Sequence, residues 1–302
     1  MGGTGCEDKR KALQRILARK RVNFVSIQET KMAKADSFRI KSLWGNYDYD
    51  FAESLALGRS GGLLSIWDLD SLKKEDSMIF DRFIVVKGTW VASNVSCHMI
   101  NLYAPQNENE KVKLWSKILA FMDSNSGNLL ICGDFNSVRG RDDRMGTLFS
   151  SVNASNFNLF ITTGNLIDIP MGRHKYTRIS RDGLKASRLD RFLVNHSFAD
   201  SFPNVILEAL DDIISDHRPL LLMQRSMDYG PTPFKLYNSW MMDADFDMIL
   251  NDSWVNVDGS PIQSAFVTFK DKLKKLKNNL KTWRKSLKNV AGLDDITADS
   301  YY

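Results

Sequence analysis

The sequence predicts an α/β fold: two packed β-sheets flanked by helices. Three observations point there. The chain has 302 residues, 43% of them apolar, which is enough to close a core and too much for global disorder. Seven short runs are apolar or alternating and are bounded by Gly, Asn, Asp or Pro, as strands are. A few helical patterns are mixed in order with those strands and do not follow them as a block.

Thr4-Gly-Cys-Glu7 has the spacing of a capping box. Leu13, Ile16 and Leu17 then form one apolar stripe among Lys9, Arg10, Lys11, Arg15, Arg19 and Lys20, so an amphipathic surface helix is expected. It feeds a strand over 22–27 that ends at Gln28-Glu-Thr-Lys31. Further strands are expected over 62–67, 83–86, 97–102, 128–132, 191–194 and 219–223. A helix over 108–122 carries Val112, Trp115, Leu119 and Met122 at helical spacing, and another lies near 154–160.

From Tyr229-Gly-Pro-Thr-Pro233 the pattern changes. The expected organisation is a catalytic-sized domain over 1–225, a linker over 226–259 and a basic heptad helix with its tail over 260–302. Within the last piece Ile262, Phe266, Phe269, Leu273, Leu276, Leu280, Trp283, Leu287 and Val290 are spaced by alternating fours and threes. A helix over 261–291 would be about 46 Å long at 1.5 Å per residue. Its seam suits either a partner helix or the chain's own surface.

The net charge of +5 is not a property of the body. Residues 260–302 hold nine Lys/Arg against four Asp, so the other 259 residues carry 32 charges of each sign. A general polycation is excluded for the body. Cys6, Cys97 and Cys132 are odd in number and lack metal-ligand spacing, which reads as reduced thiols. No apolar run approaches the ~18 residues of a membrane span, and the start lacks a signal-peptide pattern. An intracellular protein, nuclear or cytosolic, with no membrane partner is expected.

The chemistry sits at strand ends. Glu29 ends the first strand. Asn101 and Tyr103 lie in Asn101-Leu-Tyr-Ala-Pro105, and Asp134 and Asn136 lie in Gly133-Asp-Phe-Asn136. Asp216 and His217 lie in Ser215-Asp-His-Arg-Pro219. Acidic and amide oxygens converging on one rim of a sheet suit Mg²⁺, a hard cation that takes few carboxylates and keeps waters. A His beside them is free for proton transfer near neutral pH. Together they would form a hydrolytic site for a phosphate ester.

Those motifs, with Ser187-Arg-Leu-Asp190, resemble in order the motifs of the endonuclease/exonuclease/phosphatase superfamily, which includes deoxyribonuclease I and apurinic/apyrimidinic endonucleases. In detail the sequence is most similar to the endonuclease domain of plant non-LTR (LINE-type) retrotransposons. A stretch like Pro233-Phe-Lys-Leu-Tyr-Asn-Ser-Trp240 follows that domain on the way to a reverse transcriptase. The resemblance implies a four-layer α/β sandwich of two mixed sheets, and a Mg²⁺-dependent nicking of DNA, with Mn²⁺ as a substitute ion. It implies Glu29 and Asp216 as the acidic groups at the metal. Asp134 and Asn136 would contact the attacking water and the phosphate, and Tyr103 would support the transition state. His217 would be the essential histidine, held by Asp168, and Asp190 would be structural. Asn101, Arg59, Arg139, Arg141 and Arg144 are candidate contacts to phosphate or DNA.

One part of the pattern is not found. The family's first strand, ending in Asn, precedes a Gly-rich turn, and this sequence begins at Met1-Gly2-Gly3 within that turn. The resemblance therefore implies a sheet short of one strand, with an unpaired edge or a gap, and a site short of one oxygen. Two alternatives to an active endonuclease stay open: a DNA- or partner-binding remnant without catalysis, and a superfamily phosphatase for a small phosphoester.

Overall fold

In the computed structural model, residues 7–31, 37–45, 48–56, 61–212, 214–224, 240–241, 243–255 and 265–291 are described. The chain divides into two compact units, Met1–Met227 and Asp228–Tyr302.

The first unit runs α1 (Glu7–Lys20), β1 (Phe24–Gln28), α2 (Ser37–Trp44), β2 (Tyr49–Ser54), β3 (Leu63–Asp68), β4 (Leu72–Ile79), β5 (Phe83–Trp90), β6 (Val95–Tyr103), α3 (Glu108–Ser124) and β7 (Asn128–Asp134). It continues with β8 (Arg144–Met145), α4 (Ser151–Thr163), β9 (Ile167–Asp168), β10 (Met171–Gly172), β11 (Arg178–Ile179), β12 (Ala186–Ser187), β13 (Asp190–Val194), α5 (His196–Ser201), β14 (Val205–Ala209) and β15 (Leu220–Gln224). This is the α/β sandwich of mixed sheets that the sequence predicts.

One layer is a six-stranded sheet in the order β4-β5-β6-β7-β13-β9. β6 and β7 are its parallel pair, joined through α3, and the other pairs are antiparallel. β7 is a continuous apolar run buried along nearly its whole length, as a strand covered on both faces must be. On one face lies a core that includes Trp115, Phe135, Phe157 and Phe160; on the other lies one that includes Trp67, Met99, Leu130 and Leu207. The second layer is split into two three-stranded pieces, β1-β3-β2 and β10-β14-β15. Among the described residues β1 pairs with β3 alone and β15 with β14 alone. The remaining sheet, β11-β12-β8, is a small arm.

Local signals place the site-bearing helices. Asn107 caps α3 by accepting from the Glu110 amide, and Ser150 caps α4 by accepting from Asn153. The apolar face of α3 differs from the expected stripe. Leu114, Trp115, Ile118 and Phe121 are buried, Leu119 and Met122 lie at its margin, and Val112 is exposed. The buried face is centred on Leu114, Trp115, Ile118 and Phe121, one row aside from the expected stripe. β4 escapes sequence reading because Lys73, Lys74, Glu75 and Asp76 are exposed on a sheet edge, where charge protects against further pairing.

The second unit contains α6 (Phe246–Val255) and α7 (Ala265–Ala291). Residues 246–255, expected within a linker, are therefore helical. They supply a partner within the unit for α7. Trp254 meets Phe269 edge-on at 6.0 Å, and the Asn279 amide donates to Ser253 Oγ at 2.9 Å. Of the expected seam, Leu280 is buried whereas Phe269 and Leu273 are exposed. Among the described residues no helix is long and apolar enough to cross a membrane.

Cys97 and Cys132 are buried free thiols. Burial pushes their pKa values up to about 12 and about 11, so neither forms a thiolate near neutral pH. In a Cys6→Ser variant, a bulky maleimide should leave the native protein unlabelled near neutral pH and react with two thiols per chain in guanidinium chloride. Mass spectrometry of the two samples checks this.

Candidate active site

β7 lies between β6 and β13, and their registers fix the centre of the site. Asp134 stands opposite Tyr103 on the parallel side and opposite Asp190 on the antiparallel side. Gly133 makes this approach possible. Its φ is +140°, and a Cβ there would lie 2.0 Å from the Leu102 carbonyl oxygen, so no side chain fits. Immediately after Asp134 the chain turns at Asn136, whose φ of +47° lies in the left-handed region that Asn tolerates.

The turn is held from every side. The Asn136 amide N–H donates to Asp134 Oδ1 at 2.8 Å, and its side chain donates to the Ala104 carbonyl at 2.7 Å. Its Oδ1 accepts from Gln106 at 2.7 Å. The ammonium of Lys111, a buried lysine, donates to the Asn136 carbonyl at 2.7 Å and to Glu108 at 3.2 Å. Asn136 thus keeps its position by the Asp134 carboxylate. Gln106 and Lys111 carry no motif signal of their own. Only their proximity in sequence to the Ala104-Pro105 turn could have suggested them.

His217 reaches the same place from the loop before β15. Its Nδ1–H donates to Asp190 Oδ2 at 2.8 Å. This corrects the expected pairing with Asp168. Asp190, expected to be only structural, is the residue that orients the histidine. It can do so because β13 places it directly across from Asp134, whereas β9 places Asp168 three residues further along β13, opposite Leu193. Thr177 fastens the two loops together. Its hydroxyl accepts from the backbone N–H groups of Leu189 and Asp190, and its carbonyl accepts from the Arg218 N–H at 2.7 Å. Thr177 is wholly buried, and sequence reading missed it.

Asp168 has a different task. It is almost fully buried and accepts from Arg191 at 2.6 Å, Arg188 at 3.1 Å and Arg139 at 3.3 Å. The guanidinium of Arg191, itself 1% exposed, also donates to Asp143 at 2.6 Å and lies 5.8 Å from the Phe157 ring centre. A buried arginine needs such fixed carboxylates to offset its lost hydration. The network ties the loop after Asn136 to β9 and β13.

Glu29 lies just past β1, with φ of +52°. The Tyr103 hydroxyl donates to its carboxylate. The next two amides, of Thr30 and Lys31, donate to the carbonyls of Gly62 and Gly61. A non-glycine residue kept in the left-handed region marks a position set by its surroundings. Asp216 accepts from Arg178 at 3.2 Å. Glu29, Tyr103, Asp134, Asn136, Asp190, Asp216 and His217 all line one cavity.

The electrostatics follow from burial. Asp134 is held well above the usual carboxylate range, first by desolvation and then by the charge of Asp190. Burial alone would lower His217, but the Asp190 charge and hydrogen bond, with Asp134 and Asp216, push it up to about 9. Asp216 is lowered: burial opposes this, but the His217 charge and the Arg178 hydrogen bond outweigh it. Burial and the hydrogen bond to Glu29 raise Tyr103, so it remains a neutral donor. Asp134, Asp190 and His217 each offer a ligand atom within 4.8 Å of the others. The nearby carboxylate of Glu29 adds oxygen, and the set fits a hard divalent cation.

The expected phosphate and DNA contacts divide. Asn101 is 1% exposed and its amide is used within the protein: it donates to Leu64 O and Ser65 Oγ and accepts from Gln28 at 2.6 Å. It joins the two sheets and does not reach a ligand. Arg139 is committed to Asp168 and Asn158. Arg144 donates to the Leu148 carbonyl, and Arg141 is exposed over the Phe149 ring. Arg59 lies outside the described residues.

Since Asp168 is the common acceptor of three arginines, Asp168→Asn should lower stability by about 3–5 kcal/mol, the cost of leaving buried cations short of a counter-charge. His217→Ala should cost distinctly less. Urea unfolding of both variants checks the order, and an unchanged midpoint for Asp168→Asn would contradict the network.

A family model described as "Endonuclease/Exonuclease/phosphatase family" matches residues 1–217, which span the whole site. A search of curated proteins finds no match. Several solved structures share the fold. The AP endonuclease LMAP from Leishmania major aligns over 74% of this chain and 86% of its own, at 14% identity and a TM-score of 0.58. An AP endonuclease from Archaeoglobus fulgidus aligns over 70% and 91%, at 17% and 0.54. The 3′ phosphatase NExo from Neisseria, bound to a product DNA hairpin, aligns over 70% and 92%, at 18% and 0.54. The extent of the family match over this fold and this site settles membership: the chain belongs to the endonuclease/exonuclease/phosphatase family.

Proposed function

We propose that the chain is a metal-dependent phosphodiester hydrolase that nicks DNA, of the type found in plant LINE-type retrotransposons. The observation that carries the reaction is the cluster of buried Asp134 with half-buried Asp190 and His217, open to the same cavity as Glu29 and Tyr103. The retrotransposon type rests on the ordered motifs and on the 233–240 segment that follows them.

A bound Mg²⁺ or Mn²⁺, held by Glu29 and Asp216 with help from the Asp134 side, would draw charge from the phosphate oxygens. The protein's own groups do the rest. Asp190 fixes the His217 ring and favours its imidazolium, which donates from Nε2 toward a phosphate oxygen. Asp134, desolvated and raised in pKa, accepts the proton of a water aimed by Asn136. Tyr103, which gives its single O–H to Glu29 in the protein alone, would turn that hydrogen bond toward developing negative charge when a cation occupies the Glu29 carboxylate. Arg144, on β8 of the small arm, and Arg141 just before it would contact phosphates of the DNA backbone, which positions the duplex without reading its sequence.

Two variants test the reading on supercoiled plasmid with Mg²⁺. His217→Ala should nick about 10²–10⁴-fold more slowly, the usual loss for a positioned proton-transfer group. Asp190→Asn should lose part of that rate, because it keeps a hydrogen bond but not the charge. Chelation by EDTA should stop the wild type. Equal nicking by wild type and His217→Ala would reject the assignment.

A further inference from the structure

The second unit carries a charge pattern that the hydrolytic site does not use. α7 holds nine Lys/Arg against one Asp. Six of the nine follow one another at spacings of four, three, four, three and four: Lys270, Lys274, Lys277, Lys281, Arg284 and Lys288. Each stands directly after an apolar residue of the seam, Phe269, Leu273, Leu276, Leu280, Trp283 and Leu287. The basic row therefore runs parallel to the seam, turned by about 100° around a helix of 3.6 residues per turn.

Packing within the unit separates the two rows. The middle of the seam turns inward: Leu280 is buried, and the Trp283 ring centre lies 6.2 Å from that of Trp240 and 6.5 Å from that of Phe246. Two lysines outside the row turn toward α6. Lys275 donates to the Asp252 carbonyl at 3.2 Å, Lys272 lies 5.6 Å from the Trp254 ring centre, and both are half-buried. Lys270, Lys274, Lys277 and Lys281 are all exposed.

Such an array selects its partner. From Lys270 to Lys288 the row spans about 27 Å, with a cation about every 5 Å. The helix holds these charges in a straight line, which suits a stiff and regular polyanion. Duplex DNA is one, with a charge every ~1.7 Å along its axis. An anionic membrane takes up a basic helix by its apolar face, and here the middle of that face is packed inside the unit. Residues 1–259 are balanced in charge, so the surplus that draws a polyanion lies in the part of the chain that holds α7.

We propose that the basic row of α7 is a second DNA-binding surface, built from residues separate from the hydrolytic site, that grips the phosphate backbone of duplex DNA. Lysines on phosphates supply affinity and leave the base sequence unread. The choice of DNA among polyanions rests on the hydrolytic reading of the first unit; the row itself does not.

The test measures binding of the full chain to a fluorescent DNA duplex by anisotropy, in EDTA so that no metal-dependent nicking occurs. The row variant combines Lys270→Gln, Lys274→Gln, Lys277→Gln and Lys281→Gln. Each phosphate contact adds about −0.9 to the slope of log K against log salt. The row variant should therefore show a slope shallower by about 3–4, and between about 50 and 200 mM salt it should lose about 10²-fold less affinity than the wild type. Arg at the same four positions keeps the charge and should keep the wild-type slope. A control variant with Lys41→Gln, Lys73→Gln, Lys113→Gln and Lys117→Gln removes the same charge from exposed positions of the first unit and should keep it too. An unchanged slope in the row variant, or an equal change in the control, overturns the proposal. So does row-dependent binding of phosphatidylserine vesicles or of duplex RNA that is tighter than binding of DNA. Plasmid nicking with Mg²⁺ is scored separately, so failure of the row and failure of the hydrolytic reading are told apart.

Discussion

The site is organised by the side-by-side placement of Asp134 and Asp190, two acids directly across from each other on neighbouring strands, the first buried and the second half-buried. Like charges in that register are unfavourable, and burial of Asp134 adds to the cost. The fold keeps them there, so positive charge has to be brought in. In the protein alone His217 supplies it, which is why its pKa rises although burial opposes this. A divalent cation would answer the same need. The raised pKa of Asp134, the fixed imidazole and the fit of the cluster to a cation are thus three results of one strand register.

That register depends on a second, purely structural group of charges. Arg191 is wholly buried and joins Asp168 to Asp143, while Asp168 also receives Arg188 and Arg139. These contacts fix the loop that leaves the Asp134 turn relative to β13, the strand that carries Asp190. The two acidic groups therefore have opposite economies. Asp168 is surrounded by cations and is spent on structure. Asp134 has one cationic neighbour and too much negative charge, and that imbalance is what leaves it available for chemistry.

The sequence made the core strands legible because β3, β5, β6 and β7 are buried runs between turn residues. It made Glu29, Tyr103, Asp134, Asn136 and His217 legible because each stands in a short motif at a strand end. It did not distinguish Asp168 from Asp190 as the partner of His217. Both are Asp residues beside apolar strand segments, and only the pairing of β13 with β7 on one edge and β9 on the other separates them by three residues. Asn101 misled for a related reason. A motif shows that a polar residue matters, and says nothing of whether its amide faces a ligand or, as here, bridges two sheets. Thr177 and Lys111 were invisible because their work is done on backbone atoms of residues remote in sequence, which leaves no trace in periodicity or spacing.

The divided second layer sets a further physical condition on the site. Glu29 hangs from β1 and His217 from β15, and among the described residues these strands do not pair with each other. Glu29 is positioned instead by the amides of Thr30 and Lys31 on Gly61 and Gly62 and by the Tyr103 hydroxyl. His217 is positioned by Asp190 and by the Thr177 staple. Each half of the rim is thus tied separately to the six-stranded sheet, through β6 on one side and β13 on the other. The central sheet can thereby hold the chemical groups of both halves in place.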